Sequence, residues 1–138
     1  MIAEPMQPAF IDFHDAVLSS ITFHSDASLI VDFNHLNCFY SAGPDEYEVW
    51  LCVATIGCSG VRAFELKGKL EPDVCLLNGS MQDSQGSEVP TLSMDETPSI
   101  LMRLTMMSGT EIRWSMESAK LLTLSLVQQL ERWTGPLR

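Results

Sequence analysis

Residues 100–116 read ILMRLTMMSGTEIRWSM, and this stretch decides the fold. Apolar residues recur at every second position on both sides of Ser108–Gly109, namely Ile100, Met102, Leu104 and Met106 before it and Ile112, Trp114 and Met116 after it. A period of two is typical of a strand that buries one face, and a short turn between two such runs favours their pairing. The stretch therefore predicts an antiparallel hairpin.

Earlier runs show the same period. Residues 17–23 and 29–33 are joined by Ser25–Asp26, which predicts a second antiparallel hairpin. A third run, Glu46–Val53, predicts a strand whose two faces differ. Its apolar face holds Tyr47, Val49, Leu51 and Val53, and its other face holds Glu46, Glu48 and Trp50.

The alternation of apolar and polar residues is less regular in the middle of the chain. Gly57 and Gly60 are expected to end the third strand. Within residues 61–70 the apolar positions change from odd to even numbers between Val61 and Phe64. This change indicates a bulge, because a slip of one residue moves each side chain to the other face. A short strand at Val74–Leu77 is then expected to close at Asn78–Gly79.

These runs predict a mainly β protein, an antiparallel sheet built from consecutive hairpins, with an α+β fold as the alternative. The 138 residues are expected to form a single domain, residues 1–138, since a chain of this size buries roughly two-thirds of its unfolded surface. No apolar run reaches the ~20 residues of a membrane span. Residues 1–10 hold Glu4 and Pro5 and no basic residue, unlike a signal peptide, so we expect a cytoplasmic protein.

Two stretches allow alternatives. Residues 78–99 are polar and hold prolines, so they either contain a short strand near Val89–Met94 or form a mobile functional loop. Residues 119–133 place apolar residues at intervals that fit both a strand and a helix. We expect a last strand at Lys120–Leu126 that runs into a short C-terminal helix ending at Gly135–Pro136, with one full helix as the alternative.

Charge is distributed unevenly along the chain. The first sixty residues contain eight carboxylates and neither lysine nor arginine, while the remainder holds all eight cations beside ten carboxylates. Such a segment repels nucleic acid and anionic lipid and attracts cationic partners. We therefore expect no nucleic-acid and no membrane partner, and a basic protein as the partner that the charge favours.

The sequence contains no catalytic signature. GxSxG, GxGxxG and GxxxxGK motifs are absent, so neither a serine hydrolase nor a nucleotide-binding loop is indicated, and we expect no cofactor. His24, His35 and Cys38 could bind a metal, but zinc sites usually show closely spaced pairs of ligands. Only His35 and Cys38 are near each other, so we expect no metal site and regard an enzyme as the less favoured class.

Phe13–His14–Asp15–Ala16 is the most suggestive local string. An adjacent histidine and aspartate could serve as a general base and its orienting acid. Neighbours on a strand point to opposite faces, however, so we do not expect His14 and Asp15 to touch each other. The favoured interpretation is that both side chains hydrogen-bond the backbone where the chain enters the sheet.

Trp50, Leu101 and Met107 lie on the parity opposite to the predicted core residues. They predict a second packed face, a homodimer contact or a ligand wall. A second packed face is favoured, because a sheet has to be covered.

The order of four short motifs resembles a group of small bacterial proteins. The motifs are Phe13–Ala16, a strand pair that ends in Leu29–Phe33, the strand Tyr47–Val53, and the turn Gly60–Phe64. Some proteins of this group are classed as immunity proteins of polymorphic toxin systems. The resemblance covers the first half of the chain and implies an antiparallel sheet with little helix and no catalytic residues.

The favoured functional hypothesis is a non-catalytic protein-binding module, an immunity-type inhibitor that uses an acidic face to bind a basic partner such as a toxin. The predicted partner-binding residues are Asp26, Asp45, Glu46 and Glu48. Rim charges of this kind mostly raise the rate of association and its sensitivity to salt. The alternatives are a homo-oligomeric structural subunit and a small-ligand-binding or enzymatic domain that uses His14.

Overall fold

The alternating runs form strands of one antiparallel sheet. The computed structural model describes residues 7–135, which contain seven strands: β1 (Phe10–Phe23), β2 (Leu29–Gly43), β3 (Glu46–Ser59), β4 (Arg62–Lys67), β5 (Val74–Gln82), β6 (Thr97–Met106) and β7 (Glu111–Thr134). Their order in the sheet is β3-β2-β1-β5-β6-β7-β4, with a further pairing of β3 with β7. The predicted antiparallel β fold is confirmed. The signal-peptide argument from Glu4 and Pro5, and the helix stop at Pro136, concern residues outside the described part.

The sheet closes on itself because β7 is long enough to pair along both edges. One edge of its 24 residues pairs with β6, up to Ala119 opposite Thr97. The other edge pairs with β4 and then with β3, from Ser118 opposite Ser59 to Thr134 opposite Glu46. Six strands therefore form a ring, and the sheet covers its own apolar face without a second layer.

The hairpin that the sequence predicts most clearly supplies much of the core. Its seven alternating apolar residues are all buried: Ile100, Met102, Leu104, Met106, Ile112, Trp114 and Met116. The Trp114 ring stacks on Phe64 with centroids 5.8 Å apart, and Phe13 packs against Phe33 at 5.7 Å. These contacts join β4 to β7 and β1 to β2 through the interior of the ring.

The predicted faces of β3 are partly wrong. The core side of β3 holds Trp50, Cys52 and Ala54, whereas Val49 is buried outside the core cluster and Val53 is 42% exposed. The register shifts between β3 and β7 come from extra residues in β7, so a single parity of β3 faces the core throughout, and it is the opposite of the predicted one. The prediction that Gly57 ends the strand is also wrong, since β3 continues to Ser59.

The predicted bulge after Gly60 is confirmed. The pairing of β4 with β7 shifts register between Arg62 and Glu65, and Ala63 has a φ of 53°. By contrast, Asn78–Gly79 does not close β5, which continues to Gln82 opposite Leu101.

The predicted C-terminal helix is wrong in both forms. Residues 111–134 form one continuous strand, and its second half pairs with β3 over the full length of that strand. The ladder to β3 satisfies the backbone groups that a helix would otherwise pair internally. Within residues 7–135 no helix is long and apolar enough to cross a bilayer.

The connection between β5 and β6 is ordered by backbone hydrogen bonds to three parts of the ring. Val89 N–H donates to Met81 at 2.8 Å, Ile11 N–H donates to Pro90 at 2.9 Å, and Leu121 N–H donates to Ser93 at 2.7 Å. Leu92 is fully buried between these anchors. The segment near Val89–Met94 is therefore an irregular connection that is held by hydrogen bonds to β5, β1 and β7, and it is not a strand.

Gly79 of β5 lies directly against the side chain of Phe13 from β1. A Cβ atom at this position would lie 2.7 Å from the Cβ of Phe13 and 3.0 Å from Leu104 Cδ2. Both neighbours are buried, so Gly79→Ala should lower the free energy of unfolding by about 1–3 kcal/mol through overpacking. Urea denaturation would measure the change. The adjacent Ser80→Ala is the control and should change stability little, and equal midpoints for the two variants would refute this assignment.

Candidate functional site

β1 and β5 separate after a short contact, and a cleft opens between them. Their pairing comprises only Val17 opposite Cys75 and Leu18 opposite Val74. Beyond it, β1 bulges at Asp15, whose φ is 63°. The resulting space, which we call the β1–β5 cleft, has a volume of about 800 Å³ and extends to the last residues of β7. A left-handed residue in β1 therefore lies where the two strands separate and the cleft begins.

Aromatic rings form one side of the cleft. Phe39 lies at their centre, with its centroid 5.6 Å from Phe10, 6.4 Å from Trp133 and 6.5 Å from Tyr47. These contacts are edge-to-face, an arrangement that leaves ring faces open to a further group. Phe10, Phe39 and Trp133 line the cleft directly.

Carboxylates and amides from separate elements converge on the same space. Asp12 comes from β1, Glu88 from the β5–β6 connection and Glu131 from β7, and no lysine or arginine is among the described residues that line the cleft. Asn37 of β2 also lines it. Its Oδ1 atom is buried without a hydrogen-bond partner in residues 7–135, which is costly for a polar group. The lining is thus acidic and aromatic.

His14 and Asp15 lie at the edge of the cleft, and the structure brings their side chains together. His14 Nε2 is 3.5 Å from Asp15 Oδ2. The expectation that they would not touch is wrong, because the positive φ of Asp15 breaks the strand alternation on which it rested. The expectation of a backbone contact agrees with the geometry of His14, whose Nδ1 donates to the carbonyl oxygen of Leu77 at 2.7 Å. His14 thereby bridges β1 and β5 where the strands no longer pair.

Replacing His14 tests this bridging role. His14→Ala should lower the free energy of unfolding by about 0.5–1.5 kcal/mol, because the bond to Leu77 is lost at an exposed position. His14→Asn is the matched variant, since its amide nitrogen can take the place of Nδ1. It should therefore recover part of the lost free energy of unfolding. Chemical denaturation would measure both. Indistinguishable stability of wild type and His14→Ala would contradict a bridging role.

The four predicted partner-binding residues do not form one surface. Asp26 lies in the β1–β2 turn, where the Ser28 hydroxyl donates to its carboxylate and lowers its pKa. Asp45 lies in the β2–β3 turn, at the other end of β2, whose 15 residues at about 3.3 Å each span roughly 45 Å. The structure therefore separates Asp26 from the other three residues.

Asp45, Glu46 and Glu48 stay together at the end of the ring that carries the cleft. Glu48 Oε1 accepts a hydrogen bond from Trp50 Nε1 at 3.2 Å, and its Oε2 lies 3.8 Å from Arg132. Glu48 and the cleft residue Val49 are successive on a strand and so face opposite sides of it. These three acids surround the cleft region without lining the cleft.

The remaining residues singled out in the sequence are dispersed. Trp50 packs against the core from β3, while Leu101 lies on β6 and Met107 follows it, and β3 and β6 are not neighbouring strands. Among residues 7–135, no three His, Cys, Asp or Glu side chains are grouped so that they could hold a metal ion.

Sequence reasoning missed most of the cleft. Phe10, Phe39 and Trp133 come from three distant parts of the chain, and only the register between β1, β2, β3 and β7 places them side by side. A usable signal is the pair of aromatic residues Phe39–Tyr40, which follows Asn37 just beyond the predicted strand 29–33. Comparisons of the chain with protein-family models, with curated proteins and with solved structures found no match.

Proposed function

We propose that this protein is a non-catalytic binding module that captures a basic protein partner, with a cationic side chain of the partner seated in the β1–β5 cleft. The observation that carries the proposal is the composition of the lining. Carboxylates from three elements line the cleft together with a group of aromatic rings, and neither lysine nor arginine is among the described residues of the lining.

The charge of the surrounding strands supports the same partner. β1, β2 and β3 are consecutive in the sheet and belong to the segment without lysine or arginine. A continuous acidic side of this kind raises the encounter rate of a cationic protein and the salt dependence of that rate. Asp45, Glu46 and Glu48 act in this long-range attraction, while the cleft provides the contact.

The cleft suits a guanidinium group better than an ammonium group. A guanidinium is planar, stacks on aromatic faces and offers several N–H donors in a fixed fork. Asp12 and Glu131 line the cleft and are acceptors for such a fork.

The partner class follows from the resemblance and from this charge. A toxin that acts on nucleic acid carries a basic surface for phosphate, and an immunity-type inhibitor that occupies this surface would neutralise it. This role requires no catalysis and is consistent with His14 donating to a backbone carbonyl. A cytoplasmic location remains an expectation within this proposal.

The test uses a small probe that carries the recognised group. N-acetyl-arginine amide should bind saturably with a dissociation constant on the order of 1 mM, as a few cation–π and charge-assisted contacts allow. Its neutral isostere, N-acetyl-citrulline amide, should bind at least about tenfold more weakly, because it lacks the positive charge. Quenching of tryptophan fluorescence would follow both, since Trp133 lies in the cleft. Equal affinities for the two probes, or no saturation with either, would overturn the proposal.

A further inference from the structure

A second recess has the opposite chemical character. It has a volume of about 280 Å³ and lies on the outer face of the sheet, where β5, β6, β7 and β4 run side by side. One row of register partners crosses it: Ser80 faces Arg103, Arg103 faces Arg113, and Arg113 faces Glu65. Three of the eight cations of this acidic chain line the recess, namely Lys67, Arg103 and Arg113.

The direct pairing of Arg103 with Arg113 requires an explanation. Like charges on directly opposed residues of neighbouring strands repel each other and destabilise the sheet. Arg113 is compensated, because its Nε donates to Glu65 Oε2 at 2.9 Å. Arg103 forms no ion pair with any residue in the described part of the chain. One guanidinium in this row therefore has a like charge beside it and no counter-charge.

The next row of the recess does not supply that counter-charge. In it, Asn78 faces Thr105, Thr105 faces Glu111, and Glu111 faces Lys67. Glu111 and Lys67 are opposed residues of opposite charge, although no ion pair joins them among the described residues. The three cations and two carboxylates that line the recess leave one excess positive charge.

Neutral hydrogen-bond donors surround this charge. The Ser80 and Thr105 hydroxyls line the recess beside Arg103. The Asn78 amide also lines it, and because its Oδ1 accepts from Gly79 N–H at 2.8 Å, its NH₂ group is directed to other acceptors. A guanidinium with hydroxyl and amide donors around it matches the acceptor oxygens of a phosphate or carboxylate.

We propose that this recess is a binding site for a small oxyanion ligand, a phosphate ester or a carboxylate, held by Arg103 with Ser80, Thr105 and Asn78. The volume is near the lower end of small-molecule sites, so it accommodates the anionic group and little more of a ligand. The recess adjoins the β1–β5 cleft and shares Asn78, Gly79 and Ser80 with it, but it differs from the cleft in the charge of its lining and in its ligand. The binding module thus binds a small molecule in addition to its basic protein partner.

The test is a titration of the full chain, monitored by amide chemical shifts, with inorganic phosphate in one arm and succinate in the other. At least one anion should saturate and shift the resonances of Ser80, Arg103 and Thr105, and the stronger of the two identifies the ligand class. Arg103→Gln should weaken that binding at least about tenfold, since it removes the charge-assisted contact. Arg103→Lys should retain part of the affinity. Thermal unfolding should confirm that both variants of the exposed Arg103 fold.

The matched control is Arg62→Gln, which removes the same charge from β4 outside the recess, opposite Ser115. Arg62→Gln should leave affinity within about twofold of wild type, because an exposed charge outside the site is screened. Equal losses for Arg62→Gln and Arg103→Gln, or shifts that do not saturate with either anion, would overturn the proposal. Binding of N-acetyl-arginine amide by Arg103→Gln should be unchanged, so failure here is distinguishable from failure of the proposed function.

Discussion

Replacing Trp114 with alanine should lower the free energy of unfolding by about 3–5 kcal/mol, the loss expected for a large aromatic residue in a core. Trp114 is completely buried, and it stacks on Phe64 with centroids 5.8 Å apart. The ring of strands is closed by hydrogen bonds, so its walls cannot easily collapse into the space that the indole leaves. Denaturant-induced unfolding, monitored by circular dichroism, measures the change.

The matched control is the same substitution at Trp133, which is 40% exposed at the end of β7. Trp133→Ala should cost roughly 1 kcal/mol or less, because the side chain is only partly removed from water and its ring contact is with the half-buried Phe39. Similar losses for the two variants would mean that Trp114 does not lie in a tightly packed interior, and would contradict the closed sheet.

Reversing two charges in the β1–β5 cleft should abolish most of its affinity for a cationic group. Glu88→Lys/Glu131→Lys replaces two of the three carboxylates that line the cleft. It turns attraction into repulsion at short range, and the affinity for N-acetyl-arginine amide should fall by at least about tenfold. Both residues are exposed, so the folded state should persist. Fluorescence titration measures the affinity, and thermal unfolding checks the fold.

A second double variant separates contact from overall charge. Asp95→Lys/Glu96→Lys makes the same change in net charge within the β5–β6 connection that carries Glu88, at exposed positions that do not line the cleft. Its affinity for the probe should change by less than about twofold at 0.15 M salt, where charges beyond the Debye length of about 8 Å are screened. If the two variants lose affinity equally, the cleft has no special role and only the overall acidity attracts cations.

Local pattern predicted the fold wherever one face of a strand is buried along its whole length. The β6–β7 hairpin is the clearest case, since each of its alternating apolar residues is buried. Prediction failed in β3 because both parities hold apolar residues from Trp50 to Ala54, so alternation alone does not show which side of the strand faces the core. It failed after Leu124 because the end of β7 is largely exposed. The apolar residues there follow no strict period of two, and a helical spacing fitted them equally well.

The site was less predictable than the fold, for a physical reason. His14 and Asp15 were recognised as a motif, but their contact depends on the left-handed conformation of Asp15, which few non-glycine residues adopt. Asn37 and Trp133 come together only because β7 closes the ring against β3 and β2 pairs with β3. Closure of a sheet is a long-range property, and neither periodicity nor turn residues specify it. The uneven charge is evident from the first sixty residues of the sequence, whereas the position of the cleft is not.

The most direct test of the central claim is to locate the bound probe. Isotope-labelled protein would be titrated with N-acetyl-arginine amide, and amide and indole chemical shifts would be followed residue by residue. A cleft that seats a guanidinium predicts saturable shifts of Asn37, Phe39 and the Trp133 indole, with a common dissociation constant. Shifts confined to the turn acids Asp26 and Asp45, with the cleft resonances unmoved, would contradict it.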